Sequence, residues 1–207
     1  KGYDAYQNGD YATALKEWKP LAEQGYAPAQ YFLGVMYDNG FGVLEDDKEA
    51  VRWYRLSAEQ GYVEAQYNLG QKYRKGEGVL QDDKEAVRWY RLAAEQGLAH
   101  AQSNLGILYD EGYGVPEDDK EAVRWYRLAA EQEFAKAQFN LGVMYYNGEG
   151  VTQDYVYAHM WWNIAASTGH NSAKENKKII TEQMTSSQIE EAQRLARECV
   201  KKNYKSC

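Results

Sequence analysis

The sequence predicts an all-α solenoid of stacked antiparallel helix pairs, and two observations on its 207 residues lead to that prediction. A Leu-Gly pair recurs at a fixed period of 36 residues, and other markers keep the same register. Each unit also holds two stretches of helical periodicity that are separated by a Gly-x-Gly loop. Because a helix pair of about 30 residues cannot bury its apolar faces alone, neighbouring units have to stack.

Four markers define the repeated unit. The Leu-Gly pairs begin at Leu33, Leu69, Leu105 and Leu141, and the tyrosines that follow are Tyr37, Tyr73, Tyr109 and Tyr145. The loops lie at Gly40/Gly42, Gly76/Gly78, Gly112/Gly114 and Gly148/Gly150, and the tryptophans are Trp53, Trp89, Trp125 and Trp161. Two nearby glycines supply the positive φ angles of a tight reversal, so each loop is predicted to connect two helices.

The spacing of residues predicts both helices of a unit. In the first helix, Ala29, Leu33 and Tyr37 recur every four residues, which places them on one face. The second helix is predicted from Asp47 to Gln60. It opens with acidic residues that favour a helix N-terminus, and it stops at Gly61.

The composition excludes several classes of protein. The 31 acidic and 24 basic side chains leave a net charge of −7, which repels a phosphate backbone, so we expect no nucleic acid partner. No stretch approaches the roughly 18 to 20 apolar residues of a bilayer span, so we expect no membrane insertion. An aromatic content of 14% is too high for a disordered chain. We therefore expect a folded, soluble protein that binds another protein or a peptide.

No motif predicts a cofactor, a metal site or catalysis. His100, His159 and His170 lack the spacing of metal ligands. The Gly-x-Gly loops lack the third glycine and the preceding strand of a nucleotide site. The acidic stretch Glu45-Asp46-Asp47 lacks the alternating ligands of a calcium loop and is interpreted as a helix N-terminus. The sequence shows no cluster of serine, histidine and carboxylate residues typical of nucleophilic catalysis, so we expect a protein that is not an enzyme.

The units resemble the Sel-like repeat, a relative of the tetratricopeptide repeat. The resemblance rests on Ala-x-Ala-Gln-x-x-Leu-Gly-x-x-Tyr, then Gly-x-Gly-Val-x-x-Asp, then Ala-x-x-Trp-Tyr-x-x-Ala-Ala-x-x-Gly, in four units over residues 26–169. It implies a right-handed α/α superhelix whose first helices line a concave groove. Departures are small, since Glu133 replaces the terminal glycine and Ser167-Thr168 replace Glu-Gln. A residue other than glycine in that left-handed position costs about 1 kcal/mol.

The two ends of the chain are predicted to be helical as well. Residues 1–25 resemble a shorter tetratricopeptide-like helix pair, and residues 170–207 are expected to form capping helices. A lysine-rich helix is expected near Ser172 to Gln183, and Thr185-Ser186-Ser187-Gln188 is a capping box that opens a helix to about Lys202. The chain begins at Lys1, so either a leader has been removed or the chain has been shortened.

The two cysteines, Cys199 and Cys207, leave two interpretations open. They are incidental thiols, or they form a disulfide that pins the tail to the last helix. The disulfide is favoured because cysteine-rich members of the resembled family use the same Cys-x7-Cys spacing between helices. It implies an oxidising compartment, so a periplasmic or secreted bacterial protein is expected, with a cytoplasmic one as the alternative.

Comparing the repeats with one another separates constant positions from variable ones. Residues Asp46 to Leu56 recur unchanged at Asp82 to Leu92 and at Asp118 to Leu128, whereas the first helices vary. Their variable positions share one face, which we expect to be exposed and, by the resemblance, to line the groove. The predicted peptide-binding residues are Tyr31, Tyr67, Phe139, Gln71, Arg74, Lys75, Asp110, Glu111, Tyr146, Asn68, Asn104 and Asn140. Unselected variation on an unused surface is the alternative.

Asparagine precedes Leu-Gly at Asn68, Asn104 and Asn140. A carboxamide offers both a donor and an acceptor, which match the N–H and C=O groups of an extended peptide. In tetratricopeptide relatives the equivalent asparagines hold a peptide main chain, so the resemblance implies the same role here. In the alternative, each asparagine ties its own helix to the neighbouring unit.

The leading prediction for function is a non-enzymatic adaptor whose groove binds an extended segment of another protein. Two alternatives stay open. Some cysteine-rich relatives are linked to β-lactam binding or hydrolysis, although this chain lacks their cysteine in every repeat. A structural assembly through the second helices is the other, because Arg52, Arg88 and Arg124 form a regular charged row. Solvated helix surface explains that row more simply.

Overall fold

The computed structural model describes residues 1–207 and contains twelve α-helices and no strand. The chain divides into two compact units, Lys1–Gln96 and Gly97–Cys207. The first contains α1 (Gly2–Gln7), α2 (Tyr11–Glu23), α3 (Ala27–Asn39), α4 (Asp47–Glu59), α5 (Val63–Lys75) and α6 (Asp83–Glu95). The second contains α7 (Ala99–Asp110), α8 (Asp119–Ala130), α9 (Ala135–Asn147), α10 (Tyr155–Ser167), α11 (Asn171–Thr181) and α12 (Ser186–Lys201).

Helix pairs are the building block of both units. In the first unit α3 packs on α4 and α5 on α6, while in the second α7 packs on α8 and α9 on α10. The glycine of each Leu-Gly pair lies against an aromatic ring of its partner helix. A side chain at Gly34 would collide with Tyr54, and one at Gly106 would collide with Tyr126. The Leu-Gly repeat therefore marks the closest approach of two helices.

The second helix of each pair begins at an aspartate N-cap. Asp46 Oδ1 accepts the backbone N–H groups of Lys48 and Glu49 at 2.9 and 3.1 Å. Asp82, Asp118 and Asp154 cap their helices in the same way. These bonds satisfy N–H groups that have no partner within the helix, which explains why an aspartate precedes each second helix.

Apolar residues of successive pairs form the core of each unit. In the first unit Leu33 and Met36 pack with Trp53, and Tyr54 and Leu69 pack with Trp89. In the second unit the corresponding cluster is formed around Tyr126, Leu141, Met144 and Trp161.

The C-terminal helices α11 and α12 both pack on α10. The predicted capping box opens α12: the backbone N–H of Gln188 donates to Thr185 Oγ1 over 3.3 Å, and that of Thr185 donates to Gln188 Oε1 over 2.9 Å. A disulfide joins Cys199 of α12 to Cys207. None of the twelve helices combines the length and the apolar content that a bilayer crossing requires.

Candidate binding surface

The tyrosines predicted to bind a peptide in the first unit are half-buried against residues outside their own helices. The ring of Tyr31 lies 6.1 Å from that of Tyr54 and 5.1 Å from that of Tyr62. Burial raises the pKa of Tyr31 to about 12, and the charge of Glu64 adds to this. The ring of Tyr67 lies 5.7 Å from that of Tyr90. Each ring therefore stabilises its unit and presents only part of its surface.

In the second unit the same face is partly closed. The ring of Phe139 stacks on His170 at 4.8 Å, and that of Tyr146 stacks on Tyr155 at 5.4 Å. Ser103, at the position of Tyr31, is fully buried, and its hydroxyl has no hydrogen-bond partner. The expectation of an exposed face is wrong at this position. The position faces the second helix of its pair, and serine is too short to reach beyond it.

The carboxamides of Asn68 and Asn140 approach tyrosine hydroxyls of the preceding helix pair. Burial raises the pKa of Tyr54, the charge of Asp38 raises it further, and a hydrogen bond from Asn68 opposes the rise. Asn140 opposes the rise of the Tyr126 pKa in the same way. These contacts favour the interpretation in which the asparagines tie adjacent repeats. Asn104 is half-buried on α7.

The charged and polar candidates on α5 have partners of their own. Arg74 Nη1 lies 3.2 Å from Asp83 Oδ1, and Lys75 Nζ lies 3.6 Å from Glu77 Oε1. Gln71 is half-buried on the same helix, whereas Glu111, after α7, is exposed.

A buried lysine is the centre of the charge cluster in the first unit. The side chain of Lys72 is 7% exposed, and its Nζ contacts the carboxylates of Asp38, Asp47 at 2.6 Å and Glu77 at 3.1 Å. Burial opposes the charge of Lys72, but the three carboxylates outweigh it and raise the lysine pKa. Asp38 also accepts a hydrogen bond of 3.0 Å from the Tyr54 hydroxyl.

The second unit repeats these carboxylates without the lysine. Asp110, Asp119 and Glu149 follow Asp38, Asp47 and Glu77 by two repeats, and Met144 occupies the position of Lys72. Asp110 accepts a hydrogen bond of 3.1 Å from the Tyr126 hydroxyl, and Glu149 accepts one of 3.0 Å from Asn147.

No ion pair involves any of these three carboxylates. Burial raises the pKa of Asp110, the hydrogen bond from Tyr126 opposes the rise, and the charges of Glu111, Glu149 and Asp119 add to it. Asp110 is therefore close enough to both Asp119 and Glu149 to feel their charges.

An apolar cavity opens on the face of α9. Its volume is about 190 Å³, and it lies where α9 meets α10 and α11. Val143 and Tyr146 of α9 form one side, and Ile179 of α11, which is 55% exposed, forms part of the other. The remaining lining residues are Trp162, Asn176 and Ile180.

The arginine row of the second helices has a local structural explanation. The guanidinium of Arg52 lies 4.0 Å from the ring centroid of Trp53 and pairs with Glu49 at 3.0 Å. Arg88 and Arg124 make the same two contacts. Each arginine covers a tryptophan of its own helix, so the row follows from the repeat itself.

The sequence did not predict two groups of residues at this surface, namely the Lys72 cluster and part of the lining of the cavity. Lys72 carried a signal, because the equivalent positions hold Met36, Leu108 and Met144, and a lysine among apolar residues marks a special environment. The cavity residues on α11 carried no such signal, because α11 lies outside the four repeats. Trp162 of α10 did differ from the other repeats, which have tyrosine at this position. No group of three histidine, cysteine or acidic side chains is placed to hold a metal ion.

Repeated antiparallel helix pairs, closed by glycine contacts and tryptophan cores, define this chain as a helical repeat protein. The Sel1 repeat family matches it at residues 27–62, 63–98, 99–134 and 135–170, and the chain belongs to that family. The repeat is typically a non-enzymatic scaffold that commonly acts in protein–protein interaction.

Solved structures share the fold. A Sel1 repeat protein from Oxalobacter formigenes is 38% identical with a TM-score of 0.81, over 85% of this chain and 72% of that one. The protein c5321, a protective antigen of uropathogenic Escherichia coli strains with an SLR fold, is 47% identical with a TM-score of 0.75. That match covers 77% of this chain and 34% of that protein.

A curated relative matches over a shorter stretch. It is an exopolysaccharide production negative regulator from Rhizobium leguminosarum bv. viciae, 38% identical over 53 residues. The match spans 26% of this chain and 20% of the relative.

Proposed function

We propose that this chain is a non-enzymatic adaptor that binds an extended segment of another protein on the exposed faces of its first helices. The observation that carries the proposal is the apolar cavity between α9, α10 and α11. It opens on the variable face of α9 and includes Tyr146, one of the residues predicted to bind a peptide.

The size of the cavity favours one side chain of a protein over a free small molecule. Its volume of about 190 Å³ lies below the roughly 300 to 1,000 Å³ of pockets that enclose drug-sized ligands. The lining is mainly apolar, with Asn176 as a polar group at the site. An aromatic or branched aliphatic side chain of the bound segment fits this description and would supply the anchor.

A library of randomised peptides displayed on phage tests the proposal on the full chain. We expect the selected peptides to share an apolar residue at one position. Ile179→Asp places a charge at the mouth of the cavity and should lower the affinity for those peptides by about tenfold or more. Val200→Asp, a matched change of an exposed apolar residue on α12, should leave their affinity unchanged. A library without binders, or equal weakening by both variants, would contradict the adaptor function.

The disulfide supports a periplasmic or secreted location for this adaptor, because such bonds persist in oxidising compartments. The E. coli relative is a protective antigen, which agrees with an exposed location. Thiol counting on protein isolated from its native compartment should find Cys199 and Cys207 blocked. Two reactive thiols would point to the cytoplasm instead.

A chromogenic β-lactam tests the enzymatic alternative directly. We expect no turnover above buffer, and measurable hydrolysis by the purified chain would contradict the proposal.

A further inference from the structure

The two units repeat one backbone arrangement around their carboxylate clusters. The loop after α5 packs so closely on the start of α4 that a side chain at Gly78 would collide with the backbone of Asp47. The loop after α9 meets α8 in the same way, with Gly150 against Asp119. The carboxylates of the second unit therefore lie on the same backbone arrangement that surrounds a lysine ammonium group in the first unit.

One pair of facing positions shows what the second unit lacks. In each helix pair, one residue near the end of the leading helix faces one at the start of the helix that follows. These facing residues are Asp38/Asp47, Arg74/Asp83, Asp110/Asp119 and Tyr146/Tyr155. Lys72 bridges the first pair, the second is an ion pair of 3.2 Å, and the rings of the fourth stack at 5.4 Å. Only the third pair carries two like charges without a counterion in an ion pair.

We propose that Asp110, Asp119 and Glu149 bind the ammonium group of a lysine in the extended segment of the partner protein. This inference rests on the adaptor function proposed above and assigns one residue of the segment. The partner's lysine would supply from outside the charge that Lys72 supplies from within the first unit.

The solvent exposure of the carboxylates and the net charge of the chain both agree with a lysine side chain as the bound group. Asp110 and Asp119 are half-buried and Glu149 is exposed. In the first unit the equivalent Asp38 is 23% exposed, and Asp47 and Glu77 are each 40% exposed, so solvent reaches the carboxylates of both clusters. The net charge of −7 attracts a basic segment. No acidic group of three is placed to hold a metal ion, whereas the sister cluster receives an ammonium group.

The phage library on the full chain also tests this inference. We expect a lysine at a fixed distance from the apolar anchor. Replacing that lysine by norleucine in the synthetic peptide should weaken binding by about tenfold or more, because charge-assisted hydrogen bonds are lost.

Two variants of the protein identify the site. Met144→Lys supplies an internal ammonium group, as Lys72 does. It should lower the affinity for the lysine peptide to that for the norleucine peptide, and it should not change the affinity for the norleucine peptide. Glu149→Gln, on the exposed loop, should weaken the lysine peptide alone. The matched control Glu117→Gln removes an exposed charge outside the cluster and should change neither affinity. Should Met144→Lys not fold, the two glutamate variants decide the question.

The outcomes separate this inference from the adaptor function. Peptides that bind without lysine, that carry arginine in its place, or that ignore Met144→Lys and Glu149→Gln overturn the lysine site and leave the adaptor function standing. A library without any binder overturns both.

Discussion

Glu133 occupies a backbone conformation that glycine adopts at the ends of the other repeats. Its φ angle is 63°, where Gly61, Gly97 and Gly169 have 88°, 95° and 95°. A Cβ atom in this left-handed region is strained, which the sequence had indicated from the missing glycine.

Glu133→Gly should therefore raise the free energy of unfolding, by about 0.5 to 1 kcal/mol. Glu131→Gly is the control, because Glu131 has a right-handed φ of −65° and glycine there should destabilise. Chemical denaturation measures both. A loss of stability in Glu133→Gly would show that this position is not strained.

His159 is a buried titratable group at a position that holds valine in the other repeats, at Val51, Val87 and Val123. Its Nδ1 has no hydrogen-bond partner. Burial lowers the pKa of His159, and the charge of Lys177 lowers it further. The folded state therefore disfavours the protonated ring.

The free energy of unfolding should decrease as the pH falls below about 6.5, because the unfolded chain then binds a proton that the folded chain resists. His159→Val should flatten this dependence, whereas His100→Gln, which removes an exposed histidine, should retain it. Melting temperatures between pH 7.5 and pH 5 provide the measurement. Equal slopes in His159→Val and the parent would refute the role of His159.

At the level of single helices, α7 shows how close packing and polar groups compete. Gly106 lies against the ring of Tyr126, where a Cβ atom would come within 2.6 Å of Cε1. Ser103 on the same helix buries a hydroxyl that lacks a partner.

Gly106→Ala should destabilise the protein by about 1 to 3 kcal/mol, because the helix pair must separate to admit the methyl group. Ser103→Ala should have no cost or should stabilise, because it removes a buried unsatisfied hydroxyl. Denaturant midpoints distinguish the two effects. A neutral Gly106→Ala would mean that α7 and α8 are less tightly packed than the structure indicates.

At the level of the whole molecule, stability in a helical repeat is expected to spread through neighbouring elements rather than through one central core. The cluster of Ala158, Trp162 and Ala165 on α10 is completed by Ile180 of α11 and Met184. The helices after the last repeat therefore shield its apolar face.

Ile180→Asp should detach α11 and reduce amide protection in α9 and α10, while α3 and α4 keep theirs. Ile179→Asp is the matched control, since Ile179 is exposed and Ile180 fully buried. Hydrogen exchange followed by mass spectrometry reads each helix separately. An equal loss of protection in α3 and α4 would indicate one cooperative fold instead of local stability.

The sequence by itself determined the helices, their order and the repeat family. Asp46 caps α4, and Thr185 and Gln188 cap α12, as the sequence predicts. Helix formation is readable in this way because caps and apolar stripes involve residues only three or four positions apart.

Only the tertiary structure decided which polar groups meet. Lys72 lies among carboxylates from α3, α4 and the loop after α5, and the cavity needs α9, α10 and α11 together. Asn68 turns toward Tyr54, a contact that its own helix does not specify. Such neighbours are far apart in the chain, and their distance depends on how whole helices pack, so no local pattern in the sequence encodes it.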